Sequence, residues 1–229
     1  MKVTAISDLH GNLIDIEPCD LLLICGDISP LEIQKDYIQM TKWIFNDFYD
    51  WIMNLSCDKV VMTPGNHDFW FEKFINSSKL DLFNNKLTIL VNDEINYYSH
   101  TLDKYIKIYG TPYCKNFGNW AYMPGNDKLE SIYNIMPEKV DILITHDSPQ
   151  IGYVANIMEQ KDDSYPNGVP AGNIWLTNLI YEKKPKYVLS GHIHSGDHNL
   201  IEYSGTKCAN CSILDESYSI YYKPLTFEL

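Results

Sequence analysis

Residues 59–68 read KVVMTPGNHD. A short apolar run rich in β-branched residues ends in an amide, an imidazole and a carboxylate: Asn66, His67 and Asp68. Such a run, closed by Pro and Gly, predicts a buried strand. Gly65 and Asn66 suit a turn, since both tolerate positive φ. A turn does not account for His67 and Asp68. The same design recurs along the chain. VTAIS runs into Asp8, His10, Gly11 and Asn12, LLLIC into Gly26-Asp27, ILIT into His146-Asp147, and YVLS into Gly191-His192-Ile193-His194. Five of the seven histidines fall in these blocks, leaving only His100 and His198 outside. Packing alone would not collect them at strand ends, where open α/β sheets bind their ligands.

Further strands are expected at KLTILV, YIKIYG, TKCANCSI and SIYYKPL. Helical spacing appears in LEIQKDYIQMTKWIFNDFYDWIMNL, where Ile33, Tyr37, Met40, Ile44 and Phe48 share a face. Ser29 followed by Pro30 reads as its start. NDKLESIYNIM and AGNIWLTNLIYEK predict shorter helices. No repeat or linker interrupts the pattern, so one domain over residues 1–229 is expected. The polar stretch around residues 160–172 reads as a surface loop able to act as a lid.

The 229 residues carry a net charge of −12. That balance argues against long nucleic acid, which is held through a basic face. The chain opens on MKVTAISDLHG, which lacks the pattern of a signal peptide, and no apolar run reaches the ~20 residues of a membrane span. The six cysteines read as free thiols, and a cytoplasmic location is expected.

The donor set Asp8, His10, Asp27, Asn66, His146, His192 and His194 exceeds the needs of one tetrahedral zinc. Mixed Asp, Asn and His donors suit divalent ions, with Mn²⁺ first and Fe, Zn, Ni or Co as alternatives. Two ions sharing a carboxylate, roughly 3.5–4 Å apart, clamp a phosphoryl oxygen and acidify a water, giving a hydroxide nucleophile.

Together, DLHG, GDI, GNHD, THDSP and GHIH occur in the order of the calcineurin-like metallophosphoesterase superfamily, which the chain resembles over nearly its whole length. GTPY, WAY, VDILITHDSPQIG and CANCSI are similar to its small, cap-less metallophosphoesterase-domain-containing branch. The resemblance implies an α/β fold, a four-layer αββα sandwich of two mixed sheets flanked by helices. It places Asp8, His10 and His194 on a first metal and Asn66, His146 and His192 on a second, with Asp27 bridging. It makes His67 the catalytic histidine, Asn66 a ligand that also contacts phosphate, and Asp68 a residue orienting His67 or its loop. One departure stands out. In GDISPLE, Pro30 and Leu31 occupy the places of the Asp and Arg found in the protein phosphatases. The carboxylate that partners the catalytic histidine in those enzymes is absent from this block.

The activity implied is hydrolysis of small-molecule phosphodiesters such as cyclic nucleotides. Phosphomonoesterase or nucleotidase chemistry on the same centre is the alternative, and a weakly active metal- or nucleotide-binding regulator is another. Substrate-contacting candidates are Asn12, Asp147, Tyr113, Phe117 and Trp120. For the aromatic cluster of Tyr113, Phe117, Trp120 and Tyr122, two readings stand: stacking on a nucleobase, or covering the core.

Overall fold

In the computed structural model, which describes residues 1–75 and 78–229, the apolar runs become parallel strands at the centres of two sheets. The first sheet contains β1 (Lys2–Ile6), β2 (Cys19–Ile24), β3 (Cys57–Met62), β4 (Lys79–Leu82), β5 (Leu87–Leu90) and β14 (Leu225–Glu228). Its order is β14-β1-β2-β3-β5-β4; the edge strands β14 and β4 run antiparallel to neighbours that are otherwise parallel. The second sheet contains β6 (Asp93–Ser99), β7 (Lys104–Thr111), β8 (Ile142–Thr145), β11 (Tyr187–Ser190), β12 (Ile201–Tyr203) and β13 (Thr206–Asn210). Its order is β12-β13-β11-β8-β7-β6, again with antiparallel edges. A short ribbon, β9 (Asn156–Ile157) with β10 (Val169–Pro170), stands apart from both.

Three apolar clusters define the layers. Val3, Ala5, Leu21, Leu23 and Val61 of the first sheet meet Ile106, Ile108, Ile142, Ile144 and Leu189 of the second. Behind the first sheet, Leu22, Ile24 and Val60 pack on Met40, Ile44, Phe48 and Ile52. These four belong to a helical run, α1 (Tyr37–Trp43), a π-helical turn (Ile44–Phe48) and α2 (Tyr49–Asn54). Behind the second sheet, Leu143 and Val188 pack on Leu129 and Tyr133 of α3 (Asn126–Tyr133) and on Leu176 and Ile180 of α4 (Ile174–Lys183). The central strands are covered on both faces, which is why they are continuously apolar and do not alternate. The result is the expected αββα sandwich of two mixed sheets.

Several local expectations are corrected. The first helix does not begin at Ser29-Pro30. It begins at Tyr37, where the Asp36 carboxylate accepts from the Ile38 and Gln39 amides at 3.1 Å. Residues 31–35 form turns instead, and Ser29 is buried beneath the site. SIYYKPL is not a strand: Ile220 makes an isolated bridge to Leu214, and only the last residue of the stretch, Leu225, enters a strand, as the start of β14. The cysteines are free, as expected, and Cys208 and Cys211 of CANC are buried in different apolar clusters. No helix among the described residues is long and apolar enough to cross a membrane.

Candidate metal centre

The sandwich brings the C-terminal ends of β1, β2 and β3 from one sheet against those of β8 and β11 from the other. The chain leaves these strands abruptly. Asp8, His10, Asp27 and His192 all take left-handed backbone angles, with φ of 56°, 43°, 53° and 70°. For residues with a β-carbon this conformation costs roughly 1–2 kcal/mol each, and such strain gathers at functional sites. Two glycines make the approach possible. Gly26 has φ +99°, and a Cβ there would lie 2.6 Å from the His146 ring. A Cβ on Gly191 would fall 2.0 Å from Ser7 Oγ and 2.3 Å from Asp8 Oδ2.

All seven expected donors converge. Asp27 Oδ2 lies 3.2 Å from His146 Nε2, 3.8 Å from His10 Nε2 and 4.0 Å from His67 Nε2. Asp8 Oδ1 lies 3.4 Å from His194 Nε2, while the carboxylate accepts the His192 amide at 3.0–3.1 Å. Asn66 Oδ1 is 2.9 Å from His146 Nε2. The His192 ring packs on that of His146 at 5.0 Å. Overlapping triads, among them Asp8–His10–His194 and Asp8–Asp27–His146, hold their ligand atoms within 4.8 Å of one another.

The hydrogen bonds show that these donors fit cations. His146 Nδ1 faces the Cys25 carbonyl and His194 Nδ1 the Asp215 carbonyl, each at 2.9 Å. A carbonyl only accepts, so both Nδ1 atoms donate and each Nε2 is turned to oxygens that also accept. Lone pairs facing lone pairs require a proton or a metal ion between them. His10 offers the complementary sign: both of its ring nitrogens are buried without any partner. Buried polar atoms left unsatisfied are rare and call for an explanation.

The electrostatics agree. Burial opposes the charged form of His146, but Asp27 outweighs it and lifts the imidazole to about 10. Burial likewise opposes charge on His194, which the hydrogen bond and charge of Asp8 lift to about 9. Burial also works against the carboxylates, yet His194 holds Asp8, and His146 and His67 hold Asp27, well below the usual range. His10 and His192 are pushed down to about 4, chiefly by burial. A metal bound by these residues at neutral pH would therefore displace protons from His146 and His194. Calorimetry of Mn²⁺ binding at pH 7 in buffers of different ionisation enthalpy is expected to show release on the order of two protons, with affinity rising toward pH 9. Proton-neutral binding at pH 7 overturns this assignment.

The remaining sequence candidates divide. His67 sits at the rim of the cluster, with its ring 4.8 Å from His10 and 4.4 Å from Trp120. Asp68 makes no hydrogen bond to the His67 ring among the described residues. Its carboxylate accepts from the Asp27, Ser29 and Gly65 amides and from Ser29 Oγ at 2.6–3.1 Å, tying the β2 and β3 loops together. Burial and the nearby Asp27 raise it to about 6. Of its two expected roles, the structure supports bracing the loop. Phe117 is exposed beside His192, with ring centroids 5.4 Å apart. Tyr113 and Tyr122 instead pack on each other at 5.8 Å, and the Tyr113 carbonyl accepts the buried Tyr133 hydroxyl. The aromatic cluster thus splits, two rings covering the core and two at the site. Asn12 spends its side-chain amide on the Leu9 carbonyl. Asp147 is buried and accepts from the Lys115 amide and from Asn173 Nδ2. Asp147 Oδ1 is left buried without a hydrogen-bond partner among the described residues.

Sequence reasoning missed three residues. The Tyr218 ring lies 5.1 Å from both His10 and His194. Cys114 shares a donor triad with His146 and His192, but burial keeps it a thiol, donating to the Pro112 carbonyl. Gln34 bonds the ring of His67. None of the three lies in a recognisable motif.

The sandwich and the converging Asp, Asn and His donors are those of a protein able to hold divalent metal ions. The calcineurin-like phosphoesterase family model matches residues 1–196, and the chain belongs to that family. A UPF0046 protein of Caenorhabditis elegans is 25% identical, aligned over 100% of this chain and 60% of its own length. Metallophosphoesterase domain-containing protein 1 of Homo sapiens is 23% identical over 100% of this chain and 71% of its own. The chain therefore spans only part of these relatives. A solved structure of a Thermus thermophilus protein superposes with a TM-score of 0.52 at 12% identity, covering 91% of this chain and 88% of that one, a likeness of fold.

Proposed function

We propose that this chain is a metal-dependent phosphodiesterase acting on small molecules, with cyclic nucleotides the leading class. The observation that carries the reading is one carboxylate, Asp27, shared by the His10, His67 and His146 rings within 4.0 Å at the meeting of the two sheets. Asp8, His10 and His194 would hold one ion and Asn66, His146 and His192 a second, with Asp27 between them. Ions held there would supply charge to neutralise a phosphoryl group and to acidify a water. The chain's own residues do the rest. Asn66 presents its amide at the ligand edge. His67 exchanges a proton with the leaving oxygen or stabilises charge on the phosphoryl group.

A cavity of about 520 Å³ opens beside His192, lined by Lys115, Asn116, Phe117, Asn126 and Ile157. Its volume suits a nucleoside-sized group, and Phe117 offers a face for a base. Ala171 and Ile157, from the polar loop region expected to act as a lid and from the strand before it, form its outer wall. The net charge of −12 favours a small substrate over a nucleic-acid polymer.

The test is hydrolysis of matched aryl phosphodiester and phosphomonoester substrates with Mn²⁺, with chelator, and with the Asp27→Ala protein. Chelator-sensitive diester cleavage that the variant lacks is the expected result. Preference for the monoester moves the assignment to a phosphomonoesterase or nucleotidase. Metal binding without turnover of either substrate overturns the enzymatic reading.

A further inference from the structure

Gln34 lies in the turns between β2 and α1, half-buried, eight residues after Cys-Gly in ICGDISPLEIQ. Its Nε2 donates to the Leu31 carbonyl at 3.0 Å. Its Oε1 lies 2.7 Å from His67 Nδ1. The first bond fixes the second, because flipping the amide would set Oε1 against a carbonyl and the NH₂ group against Nδ1. An amide oxygen only accepts, so His67 Nδ1 carries the proton. The opposite nitrogen, Nε2, is then the one turned toward the site, 4.0 Å from Asp27 Oδ2. Trp120 at 4.4 Å and the edge of His10 at 4.8 Å limit rotation of the ring, and the His67 amide donates to Asp27 Oδ1 at 2.7 Å.

We propose that Gln34 is the positioning residue of His67, fixing its ring plane and its Nδ1–H tautomer so that Nε2 is the nitrogen that takes up and gives back the proton exchanged in phosphoester cleavage. The catalytic part of this inference rests on the phosphoesterase reading above; the tautomer does not. Where GDISPLE lacks a carboxylate, a neutral amide further along the chain takes up His67 Nδ1. It supplies direction without negative charge. A histidine's outer hydrogen-bond partner commonly sets its tautomer in this way.

The test has two readouts. The first is the imidazole ¹H–¹⁵N correlation spectrum of the metal-free protein, with the His67 signals identified by their loss in His67→Asn. Wild-type neutral His67 is expected as the Nδ1–H tautomer, and Gln34→Leu is expected to shift it toward Nε2–H, the form free imidazole side chains prefer. The second is kinetics at saturating Mn²⁺. Gln34→Leu is expected to lower kcat by about 10- to 100-fold with KM and bound metal unchanged. Gln34→Glu restores an acceptor and is expected to recover most of kcat. An Nε2–H tautomer in the wild type overturns the proposal without any variant. So does a Gln34→Leu protein with unchanged tautomer and kcat. A wild type that turns over no phosphoester overturns the functional reading alone, and the spectrum still decides the role of Gln34.

Discussion

Asp27→Ala is expected to yield a folded protein that retains less metal than the wild type and has no measurable turnover. Asp27 is the only carboxylate whose oxygen faces three imidazoles, those of His146, His10 and His67 at 3.2, 3.8 and 4.0 Å, among the described residues. Removing it takes away the group expected to bridge two ions and leaves His146 without the charge that lifts it to about 10. Loss of several kcal/mol of charge stabilisation corresponds to a rate loss of about 10³ or more. Elemental analysis of the purified variant measures the metal directly. Asp27→Asn separates charge from shape, because an amide oxygen can still accept the His67 amide that now bonds Asp27 Oδ1 at 2.7 Å. Full metal stoichiometry in both variants removes Asp27 from the centre.

His67→Ala is expected to do the reverse. Metal content stays at the wild-type level and kcat falls by roughly 10²–10⁴, the range for loss of a general acid. The His67 ring is engaged by Gln34 on one side and stands farther from Asp27 than the other two imidazoles. Burial lowers its pKa and so disfavours the charged ring. A bound anionic phosphoryl group opposes that shift and favours the charged form that can donate from Nε2. If His67→Ala also empties the centre, then His67 is a ligand, and the division between holding metal and moving protons is wrong.

Two milder predictions test the site's framework. Mn²⁺ at about 100 times its dissociation constant is expected to stabilise the fold by about 2.7 kcal/mol, read as a rise in Tm that chelator reverses. Gly191→Ala is expected to destabilise or misassemble the centre, because the added carbon would meet Ser7 Oγ at 2.0 Å and Asp8 Oδ2 at 2.3 Å. A Gly191→Ala protein with wild-type Tm and metal content overturns that account of the Gly-His turn.

The sequence made the donors legible because they are written locally. Each of five apolar strands ends in a block that places Asp, Asn or His within a few residues of a known edge, and a parallel sheet puts such edges at one end. Asp8, Asp27, Asn66, His146, His192 and His194 needed only that rule. Where it failed, the cause was a contact between distant segments. Asp68 reads as a companion of His67 because they are adjacent, but its carboxylate reaches back about forty positions to the Asp27 and Ser29 amides. Ser29 reads as a helix cap for the same reason, until that bond claims it. Tyr113 and Trp120 belong to one aromatic run, yet the Asn66 carbonyl and Glu72 fix the Ala121 and Tyr122 amides, leaving Trp120 against His67 and Tyr113 against the core.

Residue types and spacing by themselves determined the α/β class, the end of the sheets where the polar blocks meet, and the seven Asp, Asn and His candidates gathered there, since strand pattern and ligand chemistry are properties of short segments. Tertiary structure alone decided the hydrogen-bond partners: carbonyls on His146 and His194 Nδ1, Gln34 on His67, no partner at all on the His10 ring nitrogens among the described residues. A ring nitrogen's protonation follows from what faces it across space. That information exists only once two sheets have brought residues from opposite ends of the chain to within hydrogen-bond distance.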